Sequence, residues 1–209
     1  MMVAYGGVSV NYPNVSVESI KKEYHLDALC PANTSQKENI ALTIKSLYLY
    51  EALMKELDRT NDEELKVMNR KTIITLSYSV IDGIVACLGF KMQNRCYNCK
   101  RRCSNYSNSM FASTPYKNEM DAFKNADAFL KKIKIIYLDD SANKFYKQYR
   151  DVRNNIHLTR NSPAIIADSS YSKKHVEYAF KFVNDFIEML YNNYNNFLNV
   201  NHCIQRGGK

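Results

Sequence analysis

The sequence has no tryptophan, and only 6 glycines and 4 prolines among its 209 residues. So little turn-forming material excludes an all-β protein built from many tight turns, and it leaves nothing for a long flexible linker. No uninterrupted apolar run approaches the ~18 residues that cross a bilayer, so no membrane partner is expected. Residues 1–17 lack a basic leading stretch, and Tyr5, Gly6, Gly7 and Ser9 break up their apolar character, so an export signal is not expected either. Cytoplasmic placement follows, and in a reducing compartment the 6 cysteines serve as thiols or metal ligands rather than as disulfides. Acidic residues are the minority: 21 Asp and Glu against 29 Lys and Arg give a net charge of +8. A surplus of that sign favours polyanionic partners through long-range attraction and counterion release, although a merely lysine-rich surface produces it too. Hydrophobic residues at 45% and charged residues at 24% are ordinary for a folded domain.

Most of the chain reads as helix. Residues 1–34 show no helical period and form an N-terminal arm, with a short edge strand where Val8, Val10 and Tyr12 alternate with polar residues. Ser35-Gln-Lys-Glu38 fits a capping box, and Ile40, Ile44, Leu47, Met54 and Leu57 continue as one apolar face to about residue 58. Asn61-Asp-Glu-Glu64 is a second start signal, opening the most apolar segment, residues 65–90, a central helix that Gly89 helps to end. Residues 93–115 are polar and cysteine-bearing, an inserted basic loop. Helices over 116–136 and 138–158 follow, the second with Phe145, Tyr149, Val152 and Ile156 as its apolar stripe. After a loop at 160–172, Val176, Phe180, Val183, Ile187, Leu190, Tyr194 and Phe197 mark a last long helix. The fold class is therefore all-α: a bundle of about five helices over residues 35–200, with a tail at 201–209.

Chemistry concentrates late in the 138–158 helix, in Tyr149-Arg-Asp-Val-Arg-Asn-Asn-Ile-His-Leu158. At about 100° per residue, Tyr146, Arg150, Arg153 and His157 form one row beside the apolar stripe. Arginine offers a fixed fork of donors to phosphate oxygens, and histidine moves its proton near neutral pH. Together they supply what RNA transesterification needs: a base for the 2′-hydroxyl and a cation for the charge building on phosphorus. Asp82 sits in the buried-looking stretch Tyr78-Ser-Val-Ile-Asp-Gly-Ile-Val85, where an unpaired carboxylate would be costly. A helix-end or surface partner would account for it as well as a site would.

The run Arg153-Asn-Asn-Ile-His-Leu158, late in a helix and ahead of a long final helix, resembles the signature of the HEPN superfamily. That resemblance implies a helical bundle with an Arg-(four to six residues)-His motif, cutting RNA without a catalytic metal, as in toxins and antiviral defence effectors. It implies a homodimer whose two motif helices meet, and an antitoxin or regulatory protein as a further partner. Arg150 or Arg153 would hold the scissile phosphate, His157 would act as base or acid, and Asn154 would orient them, with Asp82 as an orienting group on the facing helix. Arg150 and His157 are six residues apart and fit the pattern, whereas Arg153 and His157 have three between them, one fewer than the family minimum. A non-catalytic HEPN-like module that binds RNA, nucleotide or a partner protein is the alternative. Thr159 stands where toxins paired with nucleotidyltransferase antitoxins often carry a tyrosine, so regulation at that position is not implied.

Cys96, Cys99 and Cys103 form a C-x-x-C-x-x-x-C run whose spacing suits one side of a structural zinc site, with Cys203, His202, Cys30 or His25 as the fourth ligand. Free thiols, or a disulfide formed on oxidation, are the other readings of the run. Arg95, Lys100, Arg101 and Arg102, interleaved with Tyr97 and Tyr106, would hold single-stranded RNA by stacking and phosphate contacts, unless they are only a solvated charge run. His25 and His175, among charged neighbours, are expected to be exposed. Metal analysis of the purified chain is expected to return about one zinc per chain, lost in Cys99→Ser. A metal-free wild type would leave these cysteines as thiols.

Overall fold

The computed structural model describes residues 2–5, 8–11, 13–30, 35–94, 126–131, 133–147 and 171–200. Most of them are helical, in 7 helices, which establishes the all-α class. The chain opens with a hairpin: β1 (Met2–Tyr5) pairs antiparallel with β2 (Val8–Asn11), Met2 opposite Asn11 and Tyr5 opposite Val8. The helices are α1 (Val17–Glu23), α2 (Leu26–Leu29), α3 (Ser35–Leu57), α4 (Glu63–Asn94), α5 over residues 126–131, α6 over residues 140–147, and α7 (Lys173–Val200).

The N-terminal region differs from the expected non-helical arm. Ser16 caps α1 by accepting from the Ser19 amide at 3.0 Å, and Ile20, Leu26 and Leu29 are fully buried in the main core. Two short helices hold too few turns to display a period, so the sequence pattern does not reveal them. Glu38, expected to reach back as a capping side chain, instead takes the Lys21 ammonium of α1 at 2.5 Å. Ser35 is the first helical residue rather than the residue before it. Val10 of β2 packs with Leu53 and Leu57 in a small separate cluster at the end of α3.

Helices α3, α4 and α7 match their expected spans closely. Asp62 caps α4, accepting from the Leu65 amide at 2.9 Å within the expected start signal. Ile73, Ile74, Val80, Ile81, Ile84, Val85 and Leu88 are all buried, so α4 presents apolar surface in more than one direction. Within Glu63–Gly89 an 18-residue window of this helix reaches a mean hydropathy of 1.6, long and apolar enough to cross a membrane by length and composition. The run is interrupted by polar residues, as its sequence shows, but they do not bring the average of that window below the range of a bilayer span. Inside the fold, 67% of the window is buried.

Gly89 does not end α4, which runs on to Asn94. A Cβ at Gly89 would lie 2.5 Å from the Ala126 Cβ, so this glycine is where α5 meets α4. The α5 segment stops before the expected residue 136. Lys134 turns left-handed at φ 61°, and the Ile135 and Ile136 amides both donate to the Leu130 carbonyl, at 2.9 and 3.1 Å. Asp139 then caps α6 through the Ala142 amide at 2.7 Å. Helix α6 runs antiparallel to α7. The Asn193 side-chain amide donates to the Ile135 carbonyl at 2.9 Å, while the Phe145 ring meets Tyr178 at 4.3 Å near the start of α7.

Gly89→Ala is expected to destabilise the protein by about 1–3 kcal/mol in urea unfolding, because overpacking here must displace helix backbone as well as a methyl group. Gly83→Ala faces only the flexible Ile40 side chain at 3.0 and 3.2 Å, so its gain in helix propensity offsets the contact and the change is near neutral.

Candidate functional site

Tyr78, Asp82, Val85 and Gly89 recur every four and three residues and share one stripe of α4. At one end of the stripe the Tyr78 hydroxyl is shared between two α6 carbonyls, Phe145 O at 3.0 Å and Tyr146 O at 3.1 Å. At the other end Gly89 meets Ala126 of α5. Asp82 lies between them, on the face turned to α5 and α6. Its Oδ1 atom is enclosed, the residue is half-buried, and its carboxylate is engaged. A carboxylate held at such a position is stable only with a compensating polar partner.

Helix α6 is fixed from three directions. Tyr78 holds its carbonyls from α4. From α5, Asp127 (7% exposed) accepts the Tyr146 hydroxyl on Oδ1 at 3.0 Å and the Lys131 ammonium on Oδ2 at 2.8 Å. Lys131 also stands 4.8 Å over the Tyr146 ring, a cation–π contact that restrains both side chains. From α7, Phe186 stacks on Tyr146 at 5.7 Å and Phe182 tilts against Phe145 at 5.0 Å. Tyr146, on the row with Arg150, Arg153 and His157 beside the apolar stripe, is 0% exposed. The phenol belongs to the core because Asp127 satisfies its hydroxyl there.

Of the residues singled out from sequence for a catalytic or orienting role, Asp82 is described, on the same α4 stripe as Tyr78. Arg150, Arg153, Asn154 and His157 lie outside the described residues. So do Arg95, Lys100, Arg101 and Arg102, and the cysteines Cys96, Cys99 and Cys103. Among the described residues no group of three or more His, Cys, Asp or Glu side chains could hold a metal. His25 and His175 are not the exposed residues expected. His25 sits in the left-handed region at φ 52°, stacks on Tyr191 at 3.7 Å and meets Glu188 at 3.0 Å. His175 is half-buried in the first turn of α7, its amide donating to the Ser172 hydroxyl at 3.4 Å.

Three features escaped the sequence reading. The Tyr78 and Asp127 anchors of α6 depend on which helices become neighbours, and a lone Tyr or Asp carries no mark of that. The same is true of Cys30 and Cys87, 57 positions apart and both in the core. The third is a cleft of about 150 Å³ between α1, α3 and α7, lined by Tyr24, Tyr48, Glu51 and Phe180 among others. Its two phenols bond to each other at 3.0 Å, and burial pushes both hydroxyls above the ordinary tyrosine range. Compared with protein-family models, curated proteins and solved structures, the chain matches none.

Tyr78→Phe removes the hydroxyl that α4 offers to α6 and leaves two carbonyls with one fewer donor. Chemical unfolding is expected to show a loss of about 1–2 kcal/mol. Asp127→Ala, which leaves the buried Tyr146 hydroxyl without its acceptor, is expected to cost about 1–3 kcal/mol. Unchanged midpoints in both variants would contradict the anchoring described.

Proposed function

We propose that this protein is a metal-independent endoribonuclease of HEPN type that cuts single-stranded RNA and acts in the cytoplasm as a toxin or antiviral defence effector. The observation that supports this best is positional. The run Arg150-Asp-Val-Arg153-Asn154-Asn-Ile-His157 begins three residues beyond the last described residue of α6. That helix is held by Tyr78, on the same α4 stripe that carries Asp82. The net charge of +8 is in keeping with a polyanionic substrate.

In this reading His157 takes the proton from the 2′-hydroxyl, the 2′-oxygen attacks the adjacent phosphorus, and the 5′-oxygen leaves with a proton from a general acid. Arg150 or Arg153 neutralises the charge that grows on the phosphoryl oxygens, through paired donors. Asn154 and Asp82 orient these groups. Two copies of the run across a homodimer supply base and acid together. Arg95, Lys100, Arg101 and Arg102 guide the RNA strand, and a zinc on Cys96, Cys99 and Cys103 would shape that loop without taking part in the chemistry. An antitoxin or regulatory protein restrains the activity.

The three-residue interval between Arg153 and His157 favours a second reading, a HEPN-like module that binds RNA, nucleotide or protein without cutting. Incubating purified protein with mixed single-stranded RNA in excess chelator separates the two. Cleavage leaving 2′,3′-cyclic phosphate ends, reduced on the order of 100-fold or more in His157→Ala, is the expected result. Cleavage that survives in the variant overturns the residue assignment, and a folded dimer that binds RNA without cutting it favours the second reading.

A further inference from the structure

Ile44, Leu47, Tyr48 and Glu51 fall at helical intervals of three and four and share one stripe of α3. With Phe180 and Val183 of α7, and Tyr24 at the end of α1, they line the cleft of about 150 Å³ that the three helices leave between them. Ile44, Leu47 and Val183 are buried and give it an apolar floor, beside the rings of Tyr24, Tyr48 and Phe180. Glu51 brings a carboxylate to the same cleft and keeps 38% of its side chain exposed. Its ion-pair partner is Lys55, one turn further along α3 at 3.1 Å, whose side chain is 66% exposed. An exposed pair of this kind is weak and screened by salt, so Lys55 gives way to a cation that is better enclosed. The Tyr24 and Tyr48 hydroxyls bond to each other at 3.0 Å. Burial, and behind it the negative charge of Glu23 and Glu51, keeps both phenols protonated. They therefore offer neutral oxygens and electron-rich rings, and Glu51 supplies the charge.

We propose that this cleft is a binding site for a small alkylammonium ion, with the charged nitrogen beside the Glu51 carboxylate and the aromatic rings, and the alkyl chain on the floor of Ile44, Leu47 and Val183. The lining selects that class in three ways. Aromatic rings attract cations through their quadrupole, more strongly where water is displaced. The Glu51 carboxylate adds full negative charge, and so disfavours the anions that a net charge of +8 otherwise attracts. Size is the third. Pockets for drug-sized ligands run from about 300 to 1,000 Å³. A cleft of about 150 Å³ takes only a short amine or the end of a longer one. An ammonium N–H donates to Glu51 or to a phenol oxygen, both of which accept. The alkyl part gains by leaving water for an apolar floor that is otherwise wetted. The site is independent of the ribonuclease reading, since it lies on α1, α3 and α7 and none of its groups belongs to the Arg–His run.

Titrating n-butylammonium chloride into the full-length protein at constant ionic strength, followed by NMR, tests this. n-Butanol and sodium butyrate serve as the neutral and anionic molecules of the same length. The amine is expected to shift the Tyr24, Tyr48 and Phe180 signals saturably, with a millimolar Kd at least about tenfold below that of butanol. Butyrate is expected not to saturate. Glu51→Gln is expected to weaken the amine by about tenfold and to leave butanol unchanged. Lys55→Ala removes the competing ammonium and is expected to tighten amine binding. Equal affinity for amine and alcohol, saturation by butyrate, or shifts confined to other acidic positions such as Asp185 and Glu188 would overturn the proposal. So would the absence of saturable shifts up to about 50 mM amine. Undiminished amine binding in a Glu51→Gln protein that unfolds like the wild type, or weaker binding in Lys55→Ala, would overturn it too.

Discussion

Burial of α4 is the constraint on which the rest of the structure depends. Each of its aliphatic side chains gains about 1.5–3 kcal/mol on leaving water, and no single neighbour can cover a helix that is apolar in more than one direction. Every other main element is therefore recruited to it: α3 along one side, α7 along another, and α5 and α6 over the stripe from Tyr78 to Gly89. The places where polar groups enter this packing are few and specific. Tyr78 gives its hydroxyl to α6, Gly89 gives up its side chain to α5, and Asp82 brings a carboxylate between them. An enclosed carboxylate in the most apolar helix of the chain is costly unless it is compensated.

The same helix shows how composition can mislead. Its Glu63–Gly89 stretch passes the length and hydropathy test for a bilayer span, yet in the fold its apolar surface is spent on α3, α5, α6 and α7. Hydropathy measures how much surface must avoid water and is silent on what covers it. The partner emerges only from the amphipathic neighbours, of which α7, with its repeat from Val176 to Phe197, is the clearest.

What the sequence discloses depends on how many turns an element has in which to repeat. Helices α3, α4 and α7 run for 23, 32 and 28 residues, so the apolar period and the Asn61–Glu64 start signal locate them to within a few positions. The seven residues of α1 and four of α2 hold too few repeats to stand out, and their role in the core is legible only from the packing of Ile20, Leu26 and Leu29. Two boundaries were hidden for local reasons. Gly89 resembles a helix stop but serves a close approach, and Lys134 takes the left-handed turn that glycine usually marks. Within the candidate site, Asp82 was legible because a lone acid stands out in an apolar run. How deeply Tyr146 is buried was not legible, because Asp127, 19 residues earlier, makes that position tolerable for its hydroxyl.

The central functional claim is that Asp82 and the run from Arg150 to His157 form one site. The most direct test is the titration of the His157 imidazole followed by NMR, in the wild type and in Asp82→Asn. A carboxylate nearby stabilises the charged imidazolium and raises its pKa, so removing the Asp82 charge must lower it if the two share a site. The account predicts that the His157 titration moves to lower pH in Asp82→Asn. A His157 titration unchanged by the substitution would contradict it.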